Sequence, residues 1–147
     1  MRSTPGQITR RAWHRAVFLA AGAYNIAWGL YAVFDPNWFF RYAKLEPLNH
    51  PEIFACLGMV IGLYGVLYLE VARRPERGFP IAAIGLAGKL LGPIGLAFPL
   101  LSGRWPLRAV LPCVTNDVIW WVPFAIYLVD SWPLFKRDLG RSDVPPG

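Results

Sequence analysis

The sequence predicts an all-α integral membrane protein, a four-helix bundle in up-down-up-down order with both termini in the cytoplasm. Three observations carry this. Of the 147 residues, 55% are hydrophobic and 16% are charged, against about 45–50% and about 25% in an ordinary soluble domain. Four apolar runs approach the roughly 20 residues needed to cross a bilayer. None of them alternates with the two-residue period of a barrel strand. The mean hydropathy of +0.36 agrees, and the length allows one domain spanning 1–147.

The first run, Ala16–Phe34, has 19 residues and no charge. Arginines precede it, and Ala21-Gly22-Ala23 resembles a signal cleavage site, but the apolar character continues past that point and favours an uncleaved span. The second run, Ile53–Leu69, has 17 residues and no charge. The third, Phe79–Leu101, has 23 residues and only Lys89 charged; the fourth, Ala109–Val129, has 21 and only Asp117. Residues 1–9 and 142–147 are expected to be loose ends. The longest connection is 35–52. In it, Trp38-Phe39-Phe40-Arg41-Tyr42 looks like an interfacial segment, with Trp105 marking the same surface. Trp13, Tyr68, Trp132 and Phe135 are expected to anchor the opposite surface.

Charge sets the orientation. Arg2, Arg10, Arg11, Arg15, Arg73, Arg74, Arg77, Lys136, Arg137 and Arg141 lie on one side, ten cations against four (Arg41, Lys44, Arg104, Arg108) on the other. The richer side is expected to be cytoplasmic, which makes the chain a multi-pass protein of the inner (cytoplasmic) membrane. The net charge of +6 is split into short clusters between apolar runs, which argues against nucleic-acid binding and for anionic lipid. The partners expected are therefore the lipid bilayer and, for an accessory protein, other subunits of a membrane complex. Glu70 with Arg73 and Arg74 has the spacing of a helical ion pair.

Several chemistries are disfavoured. His14 and His50 both fall outside the runs, which argues against a bis-histidine haem, and Cys56 and Cys113 form no C-x-x-C. No metal site is expected from these residues. There is no Gly-rich phosphate loop, G-x-S-x-G or H-E-x-x-H, so no catalytic residue is assigned and the reading leans away from an enzyme.

The charges inside the runs carry the most information. Lys89 lies ten residues into its run and Asp117 eight into its own, or about 15 Å and about 12 Å along antiparallel helices. Asn25, Asn116, Tyr24 and Tyr64 reach similar depth. A lone charge at mid-bilayer costs about 2.5–3.5 kcal/mol on insertion scales, and pairing offsets that cost. Gly85, Gly88, Gly92 and Gly95 form a stripe beside Lys89, expected to be a helix-contact face. Gly58-x-x-x-Gly62 and Gly88-x-x-x-Gly92 suggest close packing within the bundle, and dimerisation is the competing reading. Asp117 shares helical spacing with Cys113, Trp120 and Phe124. Pro93 frees the carbonyl of Lys89, and Pro123 frees that of Ile119. The cluster fixes helix register, lines a ligand or proton site, or faces a partner protein, and all three readings stand at this point. In the second case Lys89, Asp117, Asn25, Asn116, Tyr24, Tyr64, Trp120 and Trp121 are the candidate ligand-binding residues.

Gly88-Lys-Leu-Leu-Gly-Pro-Ile-Gly95 and Asn116-Asp-Val-Ile-Trp-Trp-Val-Pro-Phe124 are the most distinctive stretches. With four short-linked spans, a basic N-terminus and polar groups at mid-depth, the chain resembles small bacterial inner-membrane proteins of the DoxX-like kind. The resemblance covers most of the chain by hydropathy. It implies a helical bundle and, as in some relatives, a link to quinone-dependent sulfur oxidation. It assigns no role to any residue here. Small multidrug transporters fit less well, since their first helix carries an acidic residue where this one offers Asn25. Three functions follow as expectations: an accessory or scaffold subunit of a larger membrane complex, a binder or carrier of a small lipophilic or anionic molecule such as a quinone or lipid, and a proton-coupled transporter.

Overall fold

The computed structural model describes residues 7–142. Among these, every regular element is helical. The elements are α1 (Arg11–Phe34), α2 (Trp38–Ala43), α3 (Pro51–Arg73), α4 (Phe79–Leu101), α5 (Val110–Asn116) and α6 (Trp121–Ser142). Two 3₁₀ turns, Leu107–Ala109 and Val118–Trp120, precede α5 and α6. The helices α1, α3 and α4 are each long and apolar enough to cross a membrane, as is the stretch Leu107–Gly140 that contains α5 and α6. The chain is thus a four-helix, multi-pass membrane protein. Of the ends expected to be loose, residues 1–6 and 143–147 lie outside the described part, while Ile8 is buried.

The fourth span differs from expectation. It is not one helix: α5 stops at Asn116, the backbone at Asp117 turns aside (φ −121°, ψ −61°), and α6 begins at Trp121. Pro123 therefore sits in the first turn of α6, where a missing N–H costs nothing.

Bilayer lipid is as apolar as leucine, so helix association depends on close packing. The tightest pair is α1 with α3. A Cβ on Gly29 would lie 2.5 Å from the carbonyl oxygen of Gly58, and one on Gly65 would lie 2.7 Å from that of Gly22. A Cβ on Gly29 would also lie 2.8 Å from the backbone nitrogen of Gly62, so this motif packs within the chain. The second well-packed pair is α4 with α6.

The bundle is closed at both ends by aromatic clusters. Near Arg10 and Asp130, Phe18, Tyr68, Phe124 and Tyr127 are all buried; Phe18 lies 4.5 Å from Phe124 and 4.7 Å from Tyr127, ring centre to ring centre. A ring of polar contacts surrounds this near end. Arg10 donates to both oxygens of Asp130 at 2.8 and 2.7 Å, His14 Nε2 lies 2.7 Å from Asp130 Oδ2, and Arg11 pairs with Glu76 at 2.7 Å. His14, placed outside the runs by sequence, is within α1 and fully buried, because α1 begins five residues earlier than its charge-free core. The Glu70 pair forms as expected, to Arg73 at 2.6 Å and Arg74 at 3.6 Å. At the far end α2 turns inward. Phe39 and Ala43 are buried with Ala109, against Trp38, Phe40, Phe54, Leu96 and Trp105. An Arg41–Asp35 ion pair braces α2 and holds the Asp35 carboxyl below its usual range.

Candidate functional site: a polar-floored cavity

Between the two helix pairs lies a cavity of about 440 Å³, within the ~300–1,000 Å³ span of small-molecule pockets. Its polar end holds Lys89 of α4 and Asp117 at the break in the fourth span. Their side chains are 5% and 12% exposed, and Lys89 Nζ lies 4.0 Å from Asp117 Oδ1. The expected pairing of the two charges at depth is present.

The break in the fourth span explains why the lysine is tolerated. The end of α5 leaves carbonyls without helical partners. Lys89 Nζ donates to the Asn116 carbonyl at 2.5 Å, and Trp120 Nε1 donates to that of Thr115 at 3.2 Å. A cation at a helix C-terminus is also favoured by the helix dipole. The rings of Tyr68 and Trp120 stand 5.8 and 5.9 Å from Nζ. Asp117 accepts from Asn116 Nδ2 at 2.8 Å and from Cys113 Sγ at 3.7 Å. The carbonyl that Pro93 frees at Lys89 is taken by Trp121 Nε1 at 3.0 Å.

Of the eight candidate residues, Lys89, Asp117, Asn25, Asn116 and Tyr64 line the cavity. Tyr24, Trp120 and Trp121 do not. Tyr24 donates to Thr115 Oγ1 at 2.8 Å, and the two indoles hold the backbone as described. Helical spacing of Asp117 with Trp120 and Phe124 does not apply, because the helix is interrupted between them.

Two further expectations are corrected. Tyr68 is no surface anchor but is 2% exposed and lines the cavity, since α3 continues to Arg73 and carries it inside. The glycine stripe of α4 is not a backbone contact face. A Cβ on Gly85 would meet the Tyr68 hydroxyl and one on Gly92 would meet the Asp117 carboxylate, while Gly88 and Gly95 would meet nothing within 4 Å. Gly85, Gly88 and Gly92 form a cavity wall instead. Sequence reading also missed Trp28, Phe54 and Trp105 as lining residues. Their aromatic type is shared by interfacial anchors, so composition alone offered no signal.

Three buried polar atoms in the lining have no hydrogen-bond partner: Asn25 Oδ1, Asn116 Oδ1 and Trp28 Nε1. Buried polar groups are usually satisfied, so these three, enclosed in the cavity wall, are exceptions. Among the described residues, no group of three or more His, Cys, Asp or Glu side chains could hold a metal. Compared with protein-family models, curated proteins and solved structures, the chain matches none.

Proposed function

We propose that this protein binds a small lipophilic molecule with a neutral polar head in the cavity between α1, α3, α4 and α5. The observation that carries the reading is the cavity itself, whose largely apolar wall also carries Lys89, Asp117, Asn25 and Asn116. The side-chain amides of Asn25 and Asn116 each carry a donor and an acceptor, so the matching head both gives and takes hydrogen bonds. Lys89 and Asp117 balance each other, which favours a head without net charge. A quinone–quinol ring has this chemistry, and the DoxX-like resemblance points to the same class. The exposed apolar faces, such as Leu91, Ile94 and Phe98, need only lipid and give no separate support to an accessory-subunit role. The basic near end is proposed to face the cytoplasm, with the inner membrane as the location.

The test is binding of a short-chain ubiquinone, and of its quinol, to detergent-purified protein by tryptophan quenching. Saturable quenching is expected. Gly88→Leu should abolish it while preserving the fold, since a side chain there enters empty space. If wild type shows no saturation with either form, or Gly88→Leu binds equally well, the reading fails.

A further inference from the structure

The cavity is closed at both ends of the bundle and open at its side. At the far end the rings of Phe39 and Phe40 close against Trp105, with centres 5.6 and 6.3 Å away, and Phe40 also meets Phe54 at 5.6 Å. At the near end Tyr68, Phe18 and Phe124 are 2%, 0% and 0% exposed. Between α3 and α4 the situation differs. The helices touch where Tyr68 meets Gly85. Further along α4, a Cβ at Gly88 or Gly95 would find no atom within 4 Å, and the nearest atoms to one at Gly92 are those of Asp117, which belongs to the fourth span. On α3, Leu57 and Val60 line the cavity yet are 48% and 50% exposed. Gly88 and Gly92 likewise both line the cavity and are exposed. Residues that belong to the inner wall and to the outer surface at once mark the rim of an opening.

We infer that the ligand enters sideways from the bilayer, through the gap between α3 and α4. This rests on the binding reading above and narrows the ligand to molecules already dissolved in lipid. The head would pass the glycine side of α4, where no side chain obstructs it, and reach Lys89 and Asp117 without crossing water. A tail longer than the cavity would remain in the gap, emerging between Val60 and Gly92 into the acyl chains. No lid needs to move for this route, whereas entry from the far end requires the α2 cluster to come apart.

The test uses full-length protein in phosphatidylcholine vesicles, with short-chain ubiquinone as probe and stopped-flow tryptophan quenching as readout. Gly95 lies on the same face as Gly88 and Gly92 but does not line the cavity. Gly95→Trp should slow uptake and release together, each by about tenfold, and leave the equilibrium affinity unchanged, because an obstructed path alters both rates equally. Phe40→Ala, which loosens the far-end cluster without touching the cavity lining, should leave both rates as in wild type. Faster exchange in Phe40→Ala together with wild-type rates in Gly95→Trp would overturn the lateral route while leaving the site intact. A wild-type protein that never binds the probe overturns the binding reading itself, and the route with it.

Discussion

Asn25 shows at the scale of one side chain what a binding site costs its fold. It is 3% exposed, and its Oδ1 finds no partner. An unsatisfied buried polar atom costs about 1–3 kcal/mol. Asn25→Leu, nearly the same volume, should therefore raise thermal stability by about 1 kcal/mol while weakening probe binding. A calorimetric scan and a titration on one preparation check both halves. The charged pair behaves oppositely. Lys89→Met should cost about 3 kcal/mol by leaving Asp117 alone in an apolar interior, and adding Asp117→Asn should recover most of that loss. Denaturation in detergent, followed by helical signal, measures the recovery. Restored stability with binding still lost would separate the structural role of the pair from its role toward a ligand. This pair was legible in the sequence because a charge inside an apolar run is expensive and demands a partner. Tyr68 and Trp28 were not legible, since an aromatic ring suits a membrane surface and a cavity wall equally. The His14–Asp130 contact was hidden for another reason. It joins residues 116 positions apart, one in the first turn of α1 and one in the middle of α6, beyond any local spacing rule.

At the scale of elements, the four spans could be read from run length and charge placement; the first three shifted at their ends by at most five residues, while the fourth continues eleven residues past Val129 to Gly140. The interruption of the fourth span could not. Asn116-Asp117 carries no helix breaker, and the break is stabilised by groups from elsewhere: Lys89 on the Asn116 carbonyl and Trp120 on that of Thr115. The proline argument for α4 gives a sharper test. Trp121→Phe removes the donor to the carbonyl freed by Pro93 and should cost about 1–3 kcal/mol. In a Pro93→Ala background the helix supplies its own donor, so the same change should cost little; a four-way melting comparison decides. The glycines divide similarly. Gly29→Ala places a methyl group 2.5 Å from the Gly58 carbonyl and should force α1 from α3, seen as lost folded yield. Gly95→Ala meets nothing and should be neutral or stabilising by about 0.5–1 kcal/mol through helix propensity.

For the whole molecule, charge asymmetry yields the remaining expectation. With ten cations in the segments expected on one side and four in those on the other, a reporter fused after residue 147 should be active only in its cytoplasmic form. Moving three arginines, for example Arg73, Arg74 and Arg77 to Gln with matching additions beside Trp105, should produce molecules of mixed orientation.

The uneven packing has a mechanical consequence. The seam between α1 and α3 is zipped glycine to backbone, while α3 and α4 meet chiefly through one phenol against one glycine. Strain applied to such an assembly concentrates at its weakest junction. The near end is tied across by Arg10 and His14 on Asp130 and by Phe18 against Phe124, so the loosely joined stretch of α3 and α4 beyond Tyr68 is where the wall yields first.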